Sequence, residues 1–143
     1  MTTIKFTRTI EEIPFDPIFD YLSKESYWCK NIPATTLKSA MENSLNVLAF
    51  YNDEFAGYAR IVTDFTTVAY LCDVFVLPNF RNKGIADFMM NKIHSYEPLV
   101  GLRRWILITR DAHGLYKKHG WTDLETPSAW MNIHVPNIYS DPA

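Results

Sequence analysis

The sequence predicts an α/β (α+β) fold, a mixed central sheet of about six or seven strands flanked by helices, and three observations carry that prediction. Two nearly unbroken apolar runs, residues 68–77 and 105–109, have the composition of strands covered on both faces. Between them, from Gly84 onward, the apolar spacing lengthens to that of an amphipathic helix, the usual crossover between parallel strands. Ahead of both, two apolar-rich runs flank the turn-prone Asn52-Asp53-Glu54, which predicts an antiparallel hairpin.

Residues 4–10 alternate loosely between apolar and polar and predict an opening strand, after which Pro14 and Pro17 interrupt the chain ahead of a short helix. Thr35, just past Pro33, is placed to cap a second helix that carries Leu37, Ala40 and Met41 on one side and stops near Asn43. Residues 46–51 and 55–62 form the hairpin, 64–67 a further turn, and 68–77 the central strand, whose ladder ends at Pro78. The helix from about Gly84 to Tyr96 sets Ile85, Met89 and Ile93 four apart, with Asp87, Asn91 and Lys92 on the wet side. The crossover makes residues 105–109 a parallel neighbour of the central strand. Asp111 is placed to cap a short helix closed by Gly120. Residues 121–124 and 129–135, separated by Thr126-Pro127-Ser128, complete the strand count before an irregular tail from Pro136.

A chain of 143 residues, 48% of them hydrophobic, suits one domain spanning residues 1–143 with a continuous core. Its net charge of −2 offers no electrostatic footprint for nucleic acid or an anionic membrane surface. Cys29 and Cys72 are far apart, and Cys72 lies in an apolar run, the pattern of reduced thiols in a reducing compartment. No window is long and apolar enough to span a bilayer, so a soluble, cytoplasmic protein is expected, with a homodimer the default for a small enzyme. His and Cys residues show no metal-ligand spacing, and no metal is expected. His94, His119 and His134 read as surface or capping residues. His113 lies one turn before Tyr116, yet a solvent-facing position is the simpler reading.

The segment Arg81-Asn82-Lys83-Gly84-Ile85-Ala86 follows a buried strand and opens a helix. Unpaired amide N–H groups converge at such a point and bind anions, and Arg81 and Lys83 add positive charge. A glycine lets a phosphate approach the backbone closely. An ordinary strand-to-helix turn would look the same in isolation. A phosphate-loop nucleotidase would need a second glycine and a Gly-Lys-Ser or Gly-Lys-Thr ending, and a dinucleotide fold three spaced glycines; neither is present.

The stretch Val74-Phe75-Val76-Leu77-Pro78-Asn79-Phe80 followed by Arg81 to Ala86 resembles the signature of the GNAT acetyltransferases: a hydrophobic strand, Arg or Gln, two residues, Gly, one residue, then Gly or Ala. Asp111-Ala112-His113-Gly114-Leu115-Tyr116-Lys117-Lys118-His119-Gly120-Trp121 resembles the family's second motif, with Trp121 in place of the more usual phenylalanine. The order of elements from about residue 45 to 133 fits as well, while the N-terminal third carries no family signature. The resemblance implies acetyl-CoA as acyl donor, its pyrophosphate on Arg81, Asn82, Lys83, Gly84, Ile85 and Ala86. It also implies contacts to the rest of the coenzyme from the backbones of Val74, Phe75 and Val76 and from Thr109, Asp111 and Tyr116. The strand of Val74 to Val76 is expected to splay from its neighbour near Thr109.

The implied reaction is direct attack by a primary amine of a small molecule or peptide on the thioester, with Tyr116 at the family's general-acid position. A phenol of ordinary pKa, about 10, stays protonated at neutral pH and can protonate a thiolate; spacing alone is equally met by a tyrosine packing a short helix. Asp73 interrupts an apolar strand beside the thioester, where it would deprotonate or orient the amine, or else pair structurally with Arg60. Tyr27 and Trp28, in the loop before Pro33, are the best acceptor-binding candidates, with Arg60 and Asp73 beside them; Arg60 and Asp64 also read as a solvated pair. Phe15, Tyr58, Phe65 and Trp130 are acceptor-lining or core. The competing readings are a non-catalytic acyl-CoA sensor of the same fold and an enzyme that binds another phosphate ligand.

Overall fold

The structure, a computed structural model, describes residues 1–140. The last three residues of the expected irregular tail lie outside the described residues. Strands β1 (Thr2–Thr7), β2 (Leu45–Tyr51), β3 (Glu54–Thr63), β4 (Val68–Val76) and β5 (Arg104–Ile106) form one sheet in that order. Pairing is antiparallel from β1 to β4 and parallel between β4 and β5. Helix α1 (Phe15–Asp20) runs into a π-helical turn, Tyr21–Glu25, and is followed by α2 (Ala34–Glu42), α3 (Ile85–Ser95) and α4 (His113–Lys118).

Period-two alternation divides the sheet between two cores. On β2, Leu45, Val47 and Ala49 join Ile85, Met89, Met90 and Ile93 of α3, while Leu48 faces Ile18, Leu22, Leu37 and Met41 from α1, its π-turn and α2. The β2–β3 connection is a two-residue turn, with Asn52 and Asp53 at φ 50° and 68°. That geometry matches the twist of a hairpin, and Asn and Asp tolerate left-handed φ.

Several sequence expectations need correction. The sheet has five strands, not six or seven: residues 121–124 and 129–135 join no strand, and residues 122–138 are all exposed. Alternation makes a segment fit for a strand, but only a partner edge makes it one. The opening strand begins and ends earlier than residues 4–10. Pro33, not Thr35, is the N-cap of α2, and α4 begins after Ala112, whose N–H donates to Thr109 Oγ1 at 3.0 Å, so Asp111 is not its cap. Among the described residues no helix is long and apolar enough to cross a membrane.

Candidate active site

The chain between β4 and α3 forms a cradle of amides. Asn82 and Gly84 both adopt left-handed conformations, φ 64° and 75°, flanking Lys83, and Ile85 opens α3 at once. Left-handed residues in so short a turn, directly ahead of a helix, expose backbone N–H groups in a way that suits an anion. The first amides of α3 have no carbonyl within the helix to bond, and its positive dipole end points the same way. A hollow of about 240 Å³ lies here, lined by Val76, Phe80 and residues of the turn. Gly84 is required for its φ; a Cβ at that position would meet no protein atom within 4 Å. The Arg81 side chain is committed elsewhere: Nε donates to the Val76 carbonyl at 3.1 Å and Nη2 to the Tyr21 hydroxyl at 3.1 Å. Lys83 lies over the Tyr51 ring.

Pairing between β4 and β5 ends at Tyr70 and Ile106, whereas β4 continues to Val76. The strands part, and from Leu71 onward the β5-facing edge of β4 has no strand partner. Within that stretch the β3–β4 register slips between Tyr58 and Arg60, and Asp73 adopts φ 54°. This is a β-bulge, one extra residue on β4. Its effect on facing is direct. Ala69 and Leu71 face the α3 core before the bulge, Val74 and Val76 face it afterwards, and Phe75 turns to the opposite core, stacked on Tyr21 at 4.1 Å. Gly57 lets β3 close against this segment, since a Cβ there would lie 2.9 Å from the Phe75 carbonyl oxygen.

The bulge buries the Asp73 side chain, which is 4% exposed. Oδ2 accepts from Arg60 Nε at 2.7 Å; Oδ1 accepts from Trp28 Nε1 at 2.9 Å and Cys29 Sγ at 3.4 Å. Arg60 also donates to Ser44 Oγ at 3.0 Å. Burial opposes the charge on Arg60, yet the Asp73 carboxylate holds its pKa above the ordinary guanidinium value. Burial first, and Asp73 second, push both cysteine thiols up, Cys72 to about 12, so neither is a ready nucleophile. Of the two roles the sequence left open for Asp73, the pairing with Arg60 is the one present. Arg60 and Asp64 are not a pair: the Asp64 carboxylate accepts from the N–H groups of Thr66 and Thr67 and the Thr67 hydroxyl, which closes the β3–β4 turn and lowers its pKa.

Through Tyr27 the N-terminal loop reaches the chain that follows β5. Tyr27 meets Trp28 edge-on at 5.0 Å, its hydroxyl accepts the Arg110 backbone N–H at 3.2 Å, and the Arg110 guanidinium lies 3.8 Å over its ring. Tyr116 is 8% exposed, packs edge-on against Trp121, and its hydroxyl makes no hydrogen bond to another described residue. Burial, then the neighbouring Tyr27, raises its pKa to about 12. Tyr27, Trp28, Asp73 and Arg60 thus form one connected set, with Tyr27 near enough to Tyr116 to influence its charge, while Thr109 holds the turn into α4 and Asp111 is exposed. The remaining aromatic candidates lie elsewhere: Tyr58 is buried against Phe75, Phe15 and Phe65 pack on the cores, and Trp130 sits under Arg104. His113 and His134 are exposed. His94 is more buried than expected, between Trp105 and Trp121, and His119 bonds Asp87 at 2.8 Å. Sequence reading missed Arg110, Cys29 and Tyr21; each acts through a contact with a residue distant in the chain, which no local pattern marks. No group of three or more His, Cys, Asp or Glu side chains among the described residues is arranged to hold a metal.

The family model of the GNAT acetyltransferases matches residues 15–121. YhfO of Bacillus subtilis, described as an uncharacterized N-acetyltransferase, is 29% identical over 111 residues, covering 70% of this chain and 74% of its own. A crystal structure from Xanthomonas campestris, of a protein assigned to the same family, is 34% identical with a TM-score of 0.90, covering 97% of this chain and 98% of that one. A Clostridium acetobutylicum protein described as an acetyltransferase, solved with acetyl-CoA, shares the fold at 17% identity and a TM-score of 0.66, over 94% of this chain and 96% of that one. With a family model covering most of its length and the sheet, the splayed strands and the amide cradle in the corresponding order, this chain belongs to the GNAT acetyltransferase family.

Proposed function

We propose that this protein transfers an acetyl group from acetyl-CoA to a primary amine of a small molecule or peptide by direct attack. The observation that carries this reading is the continuity of the unpaired β4 edge with the amide cradle at residues 82–86. An extended arm can pair with the first while its pyrophosphate occupies the second. The acetyl-CoA held by the Clostridium protein of like fold supports the same donor here. When bound, acetyl-CoA supplies an acyl group on a thiol leaving group.

The chain's own residues divide the remaining tasks. Amides of Asn82 to Ala86 hold the pyrophosphate, and backbone groups of Val74 to Val76 align the arm and polarise the thioester carbonyl. Tyr116, protonated throughout the neutral range with an unengaged hydroxyl, donates the proton to the departing thiolate. Tyr27 and Trp28 border the acceptor. Asp73 positions Trp28 and Arg60, since both its oxygens already accept hydrogen bonds from Arg60, Trp28 and Cys29; the proton lost by the attacking amine passes to solvent water, and the Tyr116 phenolate regains its proton from the same source.

Thiol release from acetyl-CoA against a panel of amines tests this reading. Turnover on at least one amine is expected, with Tyr116→Phe lowering kcat and leaving coenzyme affinity nearly intact. Tight acetyl-CoA binding with no turnover on any amine would instead favour the sensor.

A further inference from the structure

The π-helical turn Tyr21–Glu25 has no part in the acetyl-transfer reading, yet its first residue touches both segments on which that reading rests. The turn closes with the Ser26 N–H donating to the Tyr21 carbonyl at 3.1 Å. A π turn inserts one residue into a helix, and such insertions recur at functional sites. Here Ile18 and Leu22 remain fully buried in the core they share with α2, while the Tyr21 ring stacks on Phe75, centroids 4.1 Å apart and planes within 13°. Phe75 lies between Val74 and Val76, past the bulge, in the stretch of β4 whose backbone would align the coenzyme arm.

The Tyr21 hydroxyl has a separate partner, 60 residues away in the chain: it accepts from Arg81 Nη2 at 3.1 Å. Arg81 Nε donates at the same time to the carbonyl of Val76, the last residue of β4. The guanidinium therefore spans the turn and ties the end of the strand to the residue just ahead of the left-handed Asn82. Its N–H donors are fixed in one plane, so one anchor leaves the plane free to swing and a second sets its direction. Both bonds lie at the exposed rim, where a hydrogen bond adds little to fold stability. A phenylalanine would stack on Phe75 equally well, so the hydroxyl serves Arg81 and not the core.

We infer that Tyr21 is a positioning residue for the coenzyme: acting through Arg81, it holds the turn between β4 and α3 in the shape that receives a pyrophosphate, with one guanidinium charge fixed beside it. The inference rests on the coenzyme reading above. Lys83, the other cation of the segment, is likewise held by a tyrosine, 5.2 Å over the ring of Tyr51. Charges fixed before the anion arrives spare the cost of ordering them on binding.

A double-mutant cycle of Tyr21→Phe and Arg81→Met, read by calorimetric titration of acetyl-CoA, tests this role. Tyr21→Phe keeps the ring and removes only the hydroxyl. It is expected to melt within about 2 °C of wild type and to bind acetyl-CoA about fivefold more weakly. Arg81→Met should weaken binding at least as much, and the double variant no further than Arg81→Met alone, because the hydroxyl acts only through the guanidinium. Arg81→Lys, which keeps the charge and loses the planar fork, approaches the same contact from the other side and should also bind more weakly than wild type. Wild-type affinity in Tyr21→Phe, or additive losses in the double variant, would overturn the inference and leave the coenzyme reading standing. A wild type that binds no acetyl-CoA would overturn that reading, and this inference with it.

Discussion

Replacing Arg60 by Met tests whether the buried pair with Asp73 organises the site. Asp73 is 4% and Arg60 18% exposed, and the Nε to Oδ2 distance is 2.7 Å. Removing one member of a buried ion pair costs about 3–5 kcal/mol, because the other charge is left without its counterion. Trp28 and Cys29 still donate to Oδ1, and the methionine stem keeps much of the packing, so the lower end applies, about 3 kcal/mol. For a chain of this size each kcal/mol moves Tm by about 3–4 °C, so Arg60→Met should melt about 10 °C below wild type. Thermal unfolding followed by circular dichroism measures this in Arg60→Met, Asp73→Asn and the double variant. The double variant removes both charges and should lose clearly less than the sum of the singles, by about 1.5 kcal/mol or more. An Arg60→Met protein within about 1 kcal/mol of wild type, or strict additivity, would refute the reasoning.

Tyr116→Phe should lower kcat by about 10²–10⁴-fold. Because burial holds the phenol near 12, wild-type turnover should show no alkaline fall attributable to Tyr116 below about pH 10.5; an alkaline limb centred near 9 that disappears in Tyr116→Phe would contradict that placement. Gly57→Ala puts a Cβ against the Phe75 carbonyl oxygen and should destabilise by about 1–3 kcal/mol, measured by urea unfolding. His94 has its pKa lowered, by burial first and by His119 second, and its neutral Nε2 accepts the Trp121 N–H at 2.9 Å. The unfolded chain therefore takes up this proton first as pH falls below about 6.5, so the contribution is complete above that pH and is lost on acidification. Tm measured from pH 7.5 to 5 should fall less steeply in His94→Gln than in wild type.

The hairpin, β4 and α3 were legible because each follows from spacing within a short window: Ile85, Met89 and Ile93 mark α3, and Asn52 and Asp53 mark the turn. The amide cradle was legible for the same reason. What escaped depends on partners far away in the chain. Trp28 and Asp73 are 45 residues apart, and Tyr27 and Arg110 are 83 apart. Arg60 had two plausible carboxylate partners, and the β4 bulge rather than proximity in sequence selected Asp73 over Asp64. Residues 129–135 alternate like a strand but form none, since alternation specifies a face and not its partner.

Calorimetric titration of acetyl-CoA into the wild type and Gly84→Val tests the coenzyme cradle most directly. Gly84 sits at φ 75°, where valine is strained, and no neighbouring atom lies within 4 Å of a Cβ there, so the substitution perturbs the cradle's backbone more than the core. The expected result is saturable one-to-one binding to wild type and at least tenfold weaker binding to a folded Gly84→Val. Equal affinity for both proteins, or no binding to wild type, would contradict a coenzyme held on the amides of residues 82–86.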